Sequence, residues 1–411
     1  MEVIASVLFA LAVLHTFAVK SFERLGHRYP RHAGLFHFLG EVEVVFGLWA
    51  FVLIAFIAAV SGAAEAIAYA EARQYTEPLF VFVIMVVAAS RPVLRTVAGA
   101  VSMLARSLPF DSGVAAVWLC LAVVPLTGSL ITEPAAMTLA SLMLAPRVFR
   151  QGLPEWLKYG VLGVLFVNIS IGGTLTSFAA PPVLMVASTW QWDNLFMAAN
   201  FGWKSAIAVV INATALTVLL RRHVRAQLAA DEPGEDVPAW VSVIHFGFLA
   251  TIVAAGHHPV IFIGLFLFFI GFTQAYARYQ DPLILSEGLL VGFFLAGLVV
   301  LGGMQRWWLQ PLVSSLEPTA LFFGALALTA VTDNAALTYL GSLIEGMSEA
   351  AKYMLVAGAV AGGGLTIIAN APNPAGVALL KHGFQDESIG ALGLLLGALL
   401  PTAVAAAVLL L

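Results

Sequence analysis

Two short stretches place an acid at the junction of long apolar runs. Residues 132–138 read TEPAAMT and residues 332–338 read TDNAALT. Four of the seven positions are identical, and Glu133 aligns with Asp333. Thr132 precedes the first acid; Thr332 precedes the second and Asn334 follows it, so each acid has hydroxyl or amide oxygens beside it. An ionisable residue at membrane depth is costly and points to function. Desolvation raises a carboxyl pKa and a neighbouring cation lowers it, so a buried acid holds a proton or a cation in turn. That competition is the simplest physical basis for cation/proton exchange. The bland alternative is a structural salt bridge for each acid, with Arg91, Arg95 or Lys204 as the partner.

A second pair of motifs supplies neutral ligands. Residues 172–182 read GGTLTSFAAPP and residues 362–372 read GGGLTIIANAP, with six of eleven positions shared. Glycine permits unusual backbone angles and proline stops a helix from continuing. Each stretch therefore reads as an unwound segment within a span. Thr174, Thr176, Ser177, Thr366, Asn370 and Asn373 would offer oxygen ligands there, with freed carbonyls adding more. Unwound backbone at membrane depth persists only when buried in protein or lining a watery cavity. The expectation is that Glu133 and Asp333 approach one another near the membrane centre, facing both breaks, as one site built from two halves.

The elements that must position these residues are membrane spans. The chain of 411 residues is 61% hydrophobic and only 10% charged, with a mean hydropathy of +0.96. Soluble domains carry about 25% charged residues, so this is an all-α polytopic membrane protein with little room for a soluble domain. The single cysteine, Cys120, excludes an intrachain disulfide. No metal-binding cluster, phosphate loop or nucleophile–base spacing argues for an enzyme, a cofactor or a nucleic-acid partner. The apolar first 18 residues lack a basic flank and a small-residue cleavage site, so they read as a retained span.

Spans are expected at 2–19, 36–59, 79–102, 114–144, 157–189 and 196–220, then at 240–255, 259–276, 283–302, 316–345, 350–382 and 388–411. The polar segment 221–238 is the natural linker between repeats 1–220 and 239–411. Segments 114–144 and 316–345 are too long for one simple span and carry their acids mid-way, as re-entrant hairpins would. Segments 157–189 and 350–382 are the broken helices. With both termini outside and hairpins that return to their own side, thirteen Lys and Arg residues fall in inside loops, among them Arg24, Arg147, Arg150, Arg225 and Lys381. Only Arg73, Arg306 and Lys352 fall outside, as the positive-inside rule requires. The motifs recur in the same order, 200 and then 190 residues apart, and Glu77-Pro78-Leu79 matches Asp281-Pro282-Leu283. Entering from opposite sides, the halves form two inverted-topology repeats, the usual build of a secondary transporter.

Further polar residues fall within spans. One of Glu41 and Glu43, which cannot share a helical face, is expected to pair with Arg91 or Arg95, or to relay protons inward, with Glu287 as its counterpart in the second half. Arg91 and Arg95, four apart, share a helical face and would neutralise acids or attract an anion. Lys204 serves either as an ion-pair partner or as a snorkelling interfacial residue. His15 and His245 read as packed, His257 and His258 as loop residues, and Trp307 and Trp308 as interfacial anchors.

An acidic hairpin tip followed by Gly-Gly-x-Leu-Thr and a proline-containing break resembles the ion transporter superfamily. That group includes NhaD-type Na⁺/H⁺ antiporters, arsenite permeases and citrate or dicarboxylate carriers. The resemblance covers roughly residues 77–411 and is closest to the bacterial Na⁺/H⁺ antiporters of the group. Thr332-Asp333-Asn334 and Gly172 to Thr176 carry most of it. It implies a homodimer in the bacterial inner membrane, with a scaffold part and a mobile transport part, that exchanges Na⁺ or Li⁺ for H⁺. The tip Thr132-Glu133-Pro134 departs from the family's usual Asn or Asp pair, so Glu133 would be a proton site without direct cation contact. In the second break Gly364 stands in place of the first threonine. A dicarboxylate or arsenite carrier of the same fold is the alternative; there the two acids would repel the substrate unless Arg91, Arg95 and Lys204 offset them. No filter sequence suggests a channel.

Overall fold

The computed structural model describes residues 1–109, 111–149, 153–223 and 237–411. Arg150, and the linker stretch 224–236 with Arg225, lie outside the described residues. The chain is helical, and no strand occurs among the described residues. In chain order the first helices are α1 (Glu2–Arg28), α2 (Ala33–Leu39), α3 (Val42–Ser61), α4 (Ala63–Glu71), α5 (Thr76–Ala88), α6 (Arg91–Ser107) and α7 (Ser112–Ile131). Then come α8 (Glu133–Leu144), α9 (Glu155–Gly172), α10 (Pro181–Trp190), α11 (Asn194–Met197) and α12 (Trp203–Leu220). Beyond the linker lie α13 (Ala239–Ala254), α14 (Pro259–Ala275), α15 (Leu285–Gly302), α16 (Arg306–Ser314) and α17 (Pro318–Thr329). The chain closes with α18 (Asn334–Ser342), α19 (Glu349–Gly362), α20 (Asn373–Leu380) and α21 (Ala391–Leu409).

Among the described residues six helical stretches are long and apolar enough to cross a bilayer: Glu43–Ser61, Ser112–Ile131, Glu155–Leu175, Asn194–Leu220, Leu285–Gly302 and Ala391–Leu409. A seventh arises if α5 and α6 count as one span, bent by 62°. The expected span 79–102 therefore carries a sharp corner. It falls at Ala89 and Ser90, before Pro92, whose ring cannot follow a preceding helical turn without a clash. α7 alone has 20 residues, about 30 Å at 1.5 Å per residue, whereas α17 has 12 and α18 has 9. The two acid-bearing segments thus differ in the length of the helix that precedes the acid.

The helices gather around several apolar cores. One joins α7, α8, α9, α12 and α21 with α19. Another joins α1, α3 and α15 with α18, and a third joins α5 with α13 and α14. Close packing in places uses residues without side chains: a Cβ on Gly163 of α9 would run into the backbone of Gly397 in α21. Small residues permit such backbone approach where lipid supplies no hydrophobic drive between helices. The most telling contacts cross the linker. α10 packs on α18, and α20 packs on α8. The helix after each break thus leans on the helix that follows the other acid.

Candidate functional site

Both breaks form for the reasons their residues dictate. α9 ends at Gly172, a 3₁₀ turn covers Gly173–Leu175, and Thr176 is extended (φ −128°, ψ 162°) before α10 restarts at Pro181. α19 ends at Gly362, Thr366 is extended (φ −141°, ψ 169°), and α20 restarts at Asn373 beside Pro374. The freed backbone is tied down in the same way twice. The Thr176 hydroxyl donates to the Ser129 carbonyl at 2.6 Å, and the Thr366 hydroxyl donates to the Ala330 carbonyl at 2.9 Å. Ser129 adds a bond from its hydroxyl to the Gly172 carbonyl (2.7 Å) and accepts from the Leu175 amide (2.9 Å). The Asn373 amide group donates to the carbonyls of Gly363 (2.8 Å) and Thr366 (2.9 Å).

Glu133 is the centre of the arrangement. It opens α8, is fully buried, and its Oε2 accepts a 2.8 Å bond from Nδ2 of Asn370 in the second break. The first break touches its other oxygen: a Cβ on Gly173 would lie 2.5 Å from Glu133 Oε1. One carboxylate therefore meets both unwound segments. A Cβ on Gly363 of the second break would run into Ser170 Oγ and lie 3.0 Å from Asn334 Nδ2. Asn334 Nδ2 in turn faces Ser170 Oγ at 3.5 Å.

Several buried oxygens here have no hydrogen-bond partner: Glu133 Oε1, Thr132 Oγ1, Thr329 Oγ1, Asn334 Oδ1, Asn370 Oδ1 and Asn373 Oδ1. They are half of the twelve unpartnered buried side-chain polar atoms among the described residues. Buried polar groups normally find partners, so their concentration on the two tips and the second break marks a place for a guest. Carboxylate, amide and hydroxyl oxygens suit a hard cation. Thr132 adds backbone strain. It is buried, β-branched and at φ +74°, a region such residues avoid. Strain of this kind collects at functional sites.

Asp333 plays a different part. Its Oδ1 accepts from the amides of Ala335 (2.8 Å) and Ala336 (3.1 Å), capping α18. Helix register therefore matches Asp333 with Thr132, and Asn334 with Glu133, one residue away from the alignment read from sequence. The Asp333 carboxylate is within electrostatic range of Glu133 and of Glu43. It also forms part of the wall of a cavity of ≈ 280 Å³ bounded by α1, α3, α15, α16 and α17.

The other candidate residues divide. Thr176, Thr366, Asn370 and Asn373 are at the breaks as described. The Thr174 hydroxyl turns to Ile171 O (2.7 Å) and Ser205 Oγ (2.8 Å) of α12. Ser177 turns outward to Asn194 Oδ1 (3.0 Å), and Thr332 bonds back to Leu328 O (2.8 Å). Arg91 pairs with Asp281 at 3.6 Å, not with Glu43. Arg95 makes no salt bridge among the described residues. Lys204 Nζ donates to the Tyr353 hydroxyl (2.9 Å) over the Tyr353 ring, and Glu287 is exposed at the start of α15. Sequence reasoning did not single out Ser129, Ser170 or Thr329; their only signal was a hydroxyl within an apolar run.

The comparison that decides the family concerns the whole length of the chain. The family described as "Putative Na+/H+ antiporter" matches residues 1–411. The chain belongs to this family. No curated protein matches it. Membership in an Na⁺/H⁺ antiporter family, together with the apolar helices, makes this an integral membrane protein and a transporter, with Na⁺ and H⁺ as the family's ions.

For this antiporter family member, Gly173 offers a local test of the site. Alanine there would press its methyl group on the Glu133 carboxylate, 2.7 Å from Cγ, and overpacking of this kind costs about 1–3 kcal/mol. The Gly173→Ala protein is expected to lose Na⁺-dependent proton movement by about tenfold or more, the equivalent of about 1.4 kcal/mol. Gly99→Ala, with open space around it, should leave transport unchanged. Flux assays in liposomes on the two variants compare the positions directly.

Proposed function

We propose that the chain is a secondary active transporter exchanging Na⁺ or Li⁺ for H⁺. The single observation that carries this reading is the fully buried Glu133, held by Asn370, together with the unpartnered buried oxygens that collect on both tips and the second break. Thr132, Asn334, Asn370 and Asn373 would supply oxygens to the ion, with Thr174, Thr176 and Thr366 holding the breaks in shape. Glu133 and Asp333 bind proton or cation in turn, and Glu43 passes protons toward Asp333. Ser177, Thr332 and Glu287 have side chains turned elsewhere and stand outside the ligand set proposed here.

The repeat architecture belongs to the same proposal. Residues 1–220 and 239–411 form two inverted-topology repeats, with re-entrant hairpins at 114–144 and 316–345 and broken helices at 157–189 and 350–382. The paired Thr176–Ser129 and Thr366–Ala330 bonds and the crossed packing of α8 on α20 and α10 on α18 support it. In our reading the protein is a homodimer in the bacterial inner membrane, resembling NhaD-type carriers and working by an elevator-like motion. Both termini lie outside and the linker 221–238 is cytoplasmic. Against the anion-carrier alternative, Arg91, one of the three cations it calls on, is paired with Asp281.

Purified protein in liposomes with an imposed proton gradient tests the reading. Collapse of the gradient on adding Na⁺ or Li⁺ is the expected result. Silence toward cations, with uptake of succinate or arsenite instead, would overturn it.

A further inference from the structure

The cavity beside Asp333 has a chemistry of its own. Its wall is apolar and aromatic, with Phe9, Phe46, Phe294 and Trp308 around it. Phe46 stands edge to face with both Phe9 (5.7 Å) and Phe294 (5.2 Å). The hydrogen-bond donors on the wall are already engaged. Thr16 donates to Val13 O (2.7 Å), Thr332 to Leu328 O (2.8 Å), and the Trp308 indole to Gln305 Oε1 (2.8 Å). What remains is a carboxylate with one oxygen bound to its helix cap and the other without a hydrogen-bond partner among the described residues. The chamber is thus acceptor-only, anionic at one point and apolar elsewhere. It repels an anion, gives a neutral polar solute a single acceptor and no donor, and has too few oxygens to replace the hydration shell of an inorganic ion. Leu312, Leu316 and Leu328, also on the wall, are exposed at the surface. The chamber therefore opens through an apolar rim.

We propose that this cavity is a binding site for a lipophilic primary ammonium ion, its head paired with Asp333 and its hydrocarbon body among the four aromatic rings. Charge complementarity selects the head, because a bare carboxylate in low dielectric favours a compact cation that brings its own donors. The aromatic faces reinforce it through cation–π attraction. A volume of ≈ 280 Å³ is at the small end of ligand cavities and suits an arylalkylamine of roughly a dozen non-hydrogen atoms. Such an ion reaches Asp333 from the rim, and Ile368 of the second break also lines the cavity. Where Asp333 also serves the transported ion, as proposed above, amine and Na⁺ exclude each other.

The test uses the full chain in detergent, 4-phenylbutylamine as probe and 4-phenyl-1-butanol as its uncharged match, with tryptophan fluorescence as the readout. The amine should give a saturable change that disappears in Trp308→Phe. Its affinity should fall at least tenfold in Asp333→Asn, which keeps an α18 cap, and the alcohol should bind at least tenfold more weakly than the amine. Equal binding of amine and alcohol, or an affinity unchanged in Asp333→Asn, would overturn the proposal and leave an apolar hole filled by a lipid chain. Na⁺ should raise the apparent Kd of the amine. Amine binding without Na⁺ competition, and without Na⁺-driven proton movement in liposomes, would leave this site standing and remove the exchange reading instead.

Discussion

Glu133→Gln is expected to bring Na⁺-driven proton movement to background while the protein keeps its fold. The amide is isosteric and its oxygen can accept the bond that Asn370 Nδ2 now gives to Glu133 Oε2 at 2.8 Å. The amide nitrogen takes the place of Oε1, which already has no hydrogen-bond partner, and one desolvated charge is removed, which offsets the cost of burying the new N–H groups. The melting temperature of the variant should therefore match the wild type or exceed it. What the amide cannot do is take up and release a proton. Positioned proton-transfer groups contribute about 10²–10⁴-fold to rates, so a loss of at least about 100-fold in exchange rate is expected. Glu133→Ala makes the contrast. It strands the Asn370 amide, at about 1–3 kcal/mol for an unsatisfied buried donor, and should lower the melting temperature as well. Paired thermal melts and liposome flux separate the two effects. A Gln variant that still collapses the gradient on Na⁺ addition would remove Glu133 from the coupling step.

Asp333→Asn is the second large effect, and Asp333→Ala explains why both variants are needed. Asp333 is at once a charge and the cap of α18. Asparagine caps about as well as aspartate, whereas alanine loses about 0.5–2 kcal/mol of helix stability. If the charge acts on the cation, both variants lose transport and only alanine loses stability. A unit charge about 4 Å from a cation is worth roughly 4 kcal/mol at an effective dielectric of 20, so a rise of at least about 100-fold in the KM for Na⁺ is expected for the asparagine variant. Normal Na⁺ transport with asparagine, together with failure with alanine, would make Asp333 a structural cap alone. The pH dependence follows from the same competition. A proton on the shared carboxylate excludes Na⁺, so the apparent KM for Na⁺ in the wild type should rise as pH falls. The rise approaches about tenfold per pH unit once the protonated form dominates, by mass action between two ligands for one state. Exchange measured at saturating and at low Na⁺ across pH shows whether the loss at low pH is recovered by more Na⁺, as competition demands.

Much of this protein can be read from its residues in order. A chain that is 61% hydrophobic and 10% charged has to satisfy its backbone in helices, because lipid offers no hydrogen bonds. The stops in those helices are equally local. Gly-Gly, an extended threonine and a later proline end α9 and α19 wherever they are placed, since the backbone freedom of glycine and the ring of proline act over one or two residues. Both acids also sit where sequence put them, at the starts of α8 and α18. Partners were not legible. That Glu133 meets Asn370, 237 residues away, depends on α20 lying against α8, a matter of helix packing across the whole molecule. The one-residue offset between the tips arises because Asp333 caps its helix while Glu133 lies inside one. The pairing of Arg91 with Asp281 rather than Glu43, and the outward turn of Ser177 to Asn194, come from where α6 and α10 pass their neighbours. Local chemistry decided which residues could hold an ion or a proton. The tertiary structure alone decided which oxygens of the two tips and the second break were left without partners, because burial and exclusion of water are properties of packed elements and not of any single segment.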